Sequence, residues 1–398
     1  MQAKQKPRIA ILGATRGAHL VQRHWLPADM VTVAALCDLN RERTERENHV
    51  FREAGQPDVR LFDSAADMFD WGAFDAVLVA TPDHTHADLA KDALHHGFHV
   101  FVEKPMTTTI DTARDLVTAW SATDRIGVAG HEFRYHKLIL AARERIQRGD
   151  IGTPRLAMTV DSCGRMGSYW RRRRWRKSER PPANSLTLQK AIHQLDIQTF
   201  LVGDRPTRVF ASGHEDHYGG KWPSDHRCSD CEEAETCPYH TSRIQINGRP
   251  NPLSAQDGLC VFSNDTELHD NQVVAIDYRG GARGSYVECF FTPDYKVEHT
   301  VIGDQGRVML CYVVGAGAQQ LEVTYIGSTR KEVITVDCIG GHGGGDNGLG
   351  QAFVKGVRDG VPVQPDLREG YYAVALAALI DASHRNGQPE PIPALETE

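Results

Sequence analysis

Two groups of residues in this chain have the types and spacing of acid–base chemistry. His193 and Asp196 stand three apart, a spacing that places them on one face of a helix. An imidazole titrates near neutral pH, and a carboxylate beside it can orient the ring or accept from a hydroxyl. Lys104 follows the run His99-Val100-Phe101-Val102-Glu103 and precedes Pro105. Such a run reads as a buried strand, and a proline that removes a donor and fixes φ ends it there. Lys104 therefore sits at a strand's carboxyl end, the edge where open α/β sheets bind ligands. It offers three donors there, and burial readily lowers its pKa. On these residues alone a satisfied core histidine and a solvated loop lysine remain the plainer alternatives.

Two further constellations carry chemistry of other kinds. Six of the seven positions from Arg171 to Lys177 are cationic, in a chain whose net charge is −7. Guanidinium forks such as Arg172 and Arg174 suit a carboxylate, sulfonate or phosphate, and Tyr169, Trp170 and Trp175 could stack on a sugar's apolar face. A solvated basic loop or a subunit contact would read the same way. Cys228, Cys231 and Cys237 form a knuckle with a third thiolate, suited to a structural zinc with His226, His240 or Cys260 as fourth ligand. Free or redox-paired thiols are the alternative.

The elements that must position these groups follow in order. Arg8–Leu12 is a short apolar strand, and Gly13-Ala14-Thr15-Arg16-Gly17-Ala18 then opens a helix. This is a weakened G-x-G-x-x-G/A fingerprint in the right context, with Thr15 at the middle position and Gly17 displaced by one. Val31–Cys37 is a second strand ending in Asp38, where a carboxylate would accept from a ribose and repel a 2′-phosphate. Asp38 argues for NAD, while the nearby Arg41 and Arg43 leave NADP open. Asp75–Ala80 is a further strand, followed by the loop Thr81-Pro82-Asp83-His84-Thr85-His86. Strands alternating with helices specify a parallel sheet with right-handed crossovers. Residues 1–128 are thus expected to form a Rossmann-type doubly wound domain. Residues 129–398 are expected to form an α+β domain with a large, mostly antiparallel open sheet, from hairpin signals such as Arg279–Gly284 and Gly303–Gly306. One helix should run from Asn184 or Ser185 to Val202. Such a sheet has a second face, and a partner subunit, in a dimer or tetramer, is one way to cover it.

Length and composition set the outer bounds. A chain of 398 residues exceeds one typical core, and its 40% hydrophobic and 24% charged content is that of an ordinary globular protein. The acidic balance argues against a nucleic-acid binder. No secretory leader or membrane span is expected, and the scattered cysteines suit a reducing cytoplasm, the expected location.

Together, Gly13–His19, Asp38, Ala80-Thr81-Pro82 with His84 and His86, Glu103-Lys104-Pro105 and Gly130-His131-Glu132-Phe133-Arg134-Tyr135 make a pattern. Lys190-Ala191-Ile192-His193-Gln194-Leu195-Asp196 and Gly341-His342-Gly343-Gly344-Gly345-Asp346 complete it. The chain resembles the Gfo/Idh/MocA oxidoreductases over nearly its whole length. The resemblance implies an NAD(P)-dependent enzyme acting on sugars, cyclitols or their derivatives. Its conserved lysine falls on Lys104, and its helix-borne His and Asp fall on His193 and Asp196. The cofactor would then meet Gly13, Thr15, Arg16, Gly17, Asp38, Thr81, Pro82, His84, His86, Glu103 and Lys104, and the substrate Arg134, His342 and the basic run. Some members hydrolyse glycosides without net redox. Oxidation at C3 acidifies the C2 proton, elimination expels the aglycone, and water and hydride are returned. That route needs a second base, for which Tyr135, Tyr169 and His342 are the candidates. The chain departs from the pattern in its degraded glycine fingerprint and in Asn184-Ser185-Leu186-Thr187, where many relatives carry Gly-Gly. The departure bears on substrate more than on cofactor.

Overall fold

The computed structural model describes residues 6–396, except 57, 165–166, 181–184, 244, 247–248, 251–257 and 314–315. The β-branched runs of the N-terminal part become β1 (Arg8–Leu12), β2 (Thr32–Cys37), β3 (Arg60–Phe62), β4 (Ala76–Val79), β5 (His99–Glu103) and β6 (Gly127–Gly130). They pair in the order β3-β2-β1-β4-β5-β6 with every pairing parallel, the doubly wound order whose switch point lies between β1 and β4. The connections carry α1 (Arg16–Leu20), α2 (Arg41–Glu53), α3 (Ala65–Trp71), α4 (His86–His95) and α5 (Ile110–Ser121). Asn40, Ser64 and Thr109 cap α2, α3 and α5 by accepting from backbone N–H groups three residues on.

The chain divides into two compact units, each drawn from more than one stretch of sequence. The first unit holds residues 1–140, 339–378 and 394–398, and the second holds 141–338 and 379–393. Helix α6 (Lys137–Gln147) runs across the division. The return to the first unit has a packing cause. Leu349 and Phe353 of α8 (Gly345–Asp359) join the core around Trp25 and Phe101, with the Phe101 and Phe353 rings edge to face at 5.6 Å. α9 (Leu367–Asn386) begins in the same unit, where Leu367 is fully buried.

The second unit is built on nine strands. They are β7 (Pro154–Cys163), β8 (Pro206–His214), β11 (Asn271–Tyr278), β12 (Arg283–Cys289), β13 (Tyr295–Gly303), β14 (Gly306–Val313), β15 (Ala318–Tyr325), β16 (Lys331–Asp337) and β17 (Glu390–Pro391). A two-stranded pair, β9 (Gln245–Ile246) with β10 (Arg249–Pro250), stands apart. The order is β16-β15-β14-β13-β7-β12-β11-β8-β17, and only β7 with β12 is parallel. Burial alternates along β11 and β14, as in a sheet with one face on a core. Val160, Phe210 and Val273 are among the strand side chains left exposed. The expected helix to Val202 is a π-helical turn, Thr187–Ala191, leading into α7 (Ile192–Val202). Asn184 lies outside the described residues, and Ser185 Oγ accepts from Leu188 N at 3.1 Å. Among the described residues no helix is long and apolar enough to cross a membrane.

Candidate functional site

In the first unit the carboxyl ends of β1, β2, β4 and β5 bring the sequence-predicted residues to one edge of the sheet. Gly13 turns the chain after β1 at φ +102°, and a Cβ there would meet Ala80 O at 2.3 Å, so only glycine fits. Gly17 likewise lets α1 close on β1, since a Cβ would lie 2.9 Å from Ile11. Asp38 accepts from Ala14 N and from Asn40 N, each at 2.9 Å, which aims its carboxylate across the glycine turn. Arg43 lies 3.6 Å from that carboxylate. Thr15 is exposed and makes no side-chain cap. Pro82 and His84 are exposed too, whereas His86 is buried, its ring nitrogens against Pro105 O and Thr81 O at 2.9 and 2.8 Å. His86 thus ties the β4 loop to the segment after Lys104. A glycine turn held against a strand end, with an acid fixed beside it, fits a dinucleotide.

Lys104 is half-buried at the end of β5. Burial, outweighing the attraction of Glu132, Glu103 and Asp83, holds its pKa below the ordinary lysine value. Around it stands a cluster that sequence reasoning only partly anticipated. Arg16 Nε donates to Glu103 Oε1 at 2.7 Å, and its guanidinium lies 3.6 Å from Asp346 and 3.9 Å from Glu132. His342 Nδ1 meets Asp346 Oδ2 at 2.8 Å and Glu132 Oε1 at 3.5 Å. Burial raises the pKa of Glu132. Burial alone would lower that of His342, but the charge of Glu132 and the Asp346 hydrogen bond outweigh it and hold the imidazole raised. His342 occupies the left-handed region at φ +46°, ψ +45°. That backbone is strained for a residue with a side chain, by about 1–3 kcal/mol, and the two carboxylates hold it there.

In the second unit α7 carries His193 and Asp196 on one face, both buried. One turn earlier, Lys190 is buried and donates to Asp161 of β7. Tyr286 Oη donates to the same carboxylate at 3.2 Å, and Cys163 Sγ lies 3.4 Å from it. Burial would lower the pKa of Lys190, but Asp161 in direct contact raises it well above the ordinary value.

Residues 7–131 match the oxidoreductase family's NAD-binding Rossmann fold, and residues 143–393 match its C-terminal alpha/beta domain. The chain belongs to the Gfo/Idh/MocA oxidoreductase family. An oxidoreductase of Bacillus subtilis (strain 168), YteT, is 27% identical over 303 residues, covering 68% of this chain and 70% of that protein. A 2,7-anhydro-N-acetylneuraminate hydratase of Escherichia coli (strain K12) is 29% identical over 143 residues, 35% of this chain and 36% of its own. A levoglucosan dehydrogenase in complex with NADH and levoglucosan shares the fold at TM-score 0.74 and 18% identity, covering 98% of this chain and 100% of that one. The protein is thus an enzyme of an NAD-dependent oxidoreductase family, and residues 7–131 are its NAD-binding Rossmann domain.

Other expected residues sit differently from their sequence reading. Trp170 and Trp175 are fully buried in a core with Tyr218, Leu268 and Phe290, so neither indole offers a face to a sugar. Trp170 Nε1 donates to Glu215 Oε1 at 2.8 Å, which fixes it there. Tyr169 packs edge to face on Trp175 at 5.4 Å and on Phe290 at 6.0 Å, and burial raises its pKa. Arg171, fully buried, donates to Tyr239 O. Arg172 lies over Tyr169, and Arg174, exposed, over Trp175. The basic run is therefore half core and half surface. Arg134 is buried and paired with Glu369, and Tyr135 Oη donates to Gln364 O at 2.7 Å. Cys228, Cys231 and Cys237 do not bring three ligating atoms within 4.8 Å of one another, so the expected zinc set is not assembled. Instead Cys228 Sγ accepts from Arg171 at 3.3 Å. Glu132, Asp346 and Lys190 were missed as site residues. All three lie inside motifs quoted for the family resemblance, which was the available signal.

Proposed function

We propose that the enzyme removes a hydride from a ring carbon, C3, of a sugar, glycoside or cyclitol that carries an anionic group. NAD, when bound along Gly13, Asp38, Thr81 and Arg16, supplies the hydride acceptor, and Asp38 selects it over NADP. The observation that carries the reading is Lys104, a lysine of lowered proton affinity at the carboxyl end of β5. Being unprotonated more readily than a solvated lysine, it accepts the proton of the hydroxyl under oxidation. Glu132, raised by burial, stands ready to take that proton on. His342, whose side chain is 34% exposed, passes it to water. His193 and Asp196 act on the substrate hydroxyls, as the family pattern implies. Arg172 and Arg174 are the groups for the anionic substituent. The exposed apolar residues of the nine-stranded sheet are proposed as the contact of a homodimer or tetramer.

A second reading is redox-neutral hydrolysis of an acidic glycoside, such as a uronide or sulfoquinovoside. It is favoured by His342, a partly exposed imidazole held by Asp346 and Glu132, which is a candidate for the second base that elimination needs. One assay tests both. Purified protein is incubated with NAD and a panel of neutral and acidic sugars with their nitrophenyl glycosides, following NADH and nitrophenol in the same wells. Stoichiometric NADH from free sugars supports the dehydrogenase. Nitrophenol release at catalytic NAD without NADH supports the hydrolase. Silence in both channels overturns both.

A further inference from the structure

The second unit gathers three ligand-type side chains that the proposed reaction does not use. His269 lies just before β11, and Asp381 and His384 lie three apart on α9, on one face. One ligating atom from each falls within 4.8 Å of the other two. The two imidazoles stand 5.4 Å apart between centroids at 62°. Two imidazoles and a carboxylate are the donor set of a tetrahedral zinc-type site that keeps one position for water.

Other observations point to a ligand rather than to a packed polar cluster. His384 Nε2 is buried and has no hydrogen-bond partner among the described residues, an uncommon state for a buried ring nitrogen. Space beside that nitrogen is kept by a glycine, since a Cβ at Gly213 would lie 3.1 Å from it. His269 Nε2 faces Glu288 Oε2 at 3.3 Å, the carboxylate–imidazole pairing that orients metal-binding histidines. Asp381 accepts from Thr187 Oγ1 at 2.6 Å. Both side chains are thus held in place from behind.

We propose that His269, Asp381 and His384 bind one divalent transition-metal ion of zinc type. The ion clamps the end of α9 to the entry of β11. Through Asp381 and Thr187 it also fixes the turn that leads into α7. This set shares no residue with the cysteine loop or with the proposed proton-handling residues.

The test uses the full chain, stripped with a chelator and titrated with Co2+ while its visible absorption is followed. One equivalent should bind, be displaced by Zn2+, and show no thiolate-to-cobalt charge-transfer band. His384→Ala and Asp381→Asn should each lose that equivalent, and His269→Gln should weaken it at least tenfold. The doubly substituted Cys231→Ser, Cys237→Ser chain should keep it. Zn2+ should raise the melting temperature of the wild-type chain and leave that of His384→Ala unmoved, and the metal-free melt shows whether each variant folds. Absence of binding, binding beyond one equivalent with no saturation, a thiolate band, or retention in a folded His384→Ala chain would each overturn the proposal.

Discussion

Two lysines in this protein sit among buried carboxylates, and the surroundings drive them in opposite directions. Lys190 touches Asp161 directly, both side chains are almost fully buried (7% and 0% exposed), and its pKa rises. Lys104 faces Glu132, Glu103 and Asp83, yet its pKa falls. The difference lies in how the negative charge is spent. Glu103 is engaged by Arg16, and burial makes Glu132 itself reluctant to ionise, so neither fully offsets the desolvation of Lys104. Burial raises the pKa of Asp161 as well, but Lys190 donates to it directly, and that contact keeps the lysine charged. One lysine has its proton affinity lowered, and the other is held in an ion pair.

The strongest way to break that contrast is at Lys104. Lys104→Ala should cost about 10²–10⁴-fold in kcat, the usual worth of a general base, while NAD affinity by fluorescence titration changes only a few-fold. Near wild-type turnover would remove Lys104 from the chemistry. Lys190→Met should instead act on stability, because it strands Asp161 in the core. Loss of one partner of a buried pair costs about 3–5 kcal/mol, read as a lower urea midpoint. The double change Lys190→Met, Asp161→Leu should recover much of it, and no recovery would mean that the two side chains are not coupled.

Smaller changes sharpen the comparison. Glu132→Gln removes a charge that raises Lys104, so the acid limb of the kcat/KM profile should move to lower pH. An unmoved limb would detach Glu132 from Lys104. The histidines of the same unit oppose one another. His342 has a folded pKa above its ordinary 6.5, so its stabilisation is full below 6.5 and is lost as pH rises through the folded value. Burial and the charge of His342 push His136 down to about 4, so its stabilisation is full above 6.5 and is lost as pH falls toward 4. His342→Asn should flatten the alkaline side of the stability curve measured by urea unfolding and leave the acid side sloping. The smallest effect is expected at Asp38, where Asp38→Ser should raise kcat/KM with NADP relative to NAD by roughly tenfold, the value of about 1.4 kcal/mol of lost discrimination.

The first parallel sheet, the strand end at Lys104 and the shared face of His193 and Asp196 were legible because they rest on periodicity and turn chemistry within a few residues. Pro105 stops β5 whatever the rest of the chain does, and a spacing of three aligns two side chains on any helix. The family pattern was legible for the same reason, being a string of short local motifs. Three features had no local signal. Arg171 to Lys177 reads as one cationic run, yet Trp175 and Arg171 turn into a core formed with Phe290 and Tyr218, more than forty residues away in sequence. The cysteine spacing suggested a metal, but among the described residues the three thiols do not come within 4.8 Å of one another, and Cys228 meets Arg171. The return of α8 to the first unit was decided by Phe353 finding the ring of Phe101.

Sequence alone therefore determined which residues could carry a proton and on which elements they stand. Only the tertiary structure decided which of them are placed to exchange it. A pKa depends on burial and on the charges brought beside a group, and both come from segments far apart in the chain. His342 meets Glu132, and Arg16 meets Asp346, across more than two hundred residues, and Lys104 takes its proton affinity from that assembly.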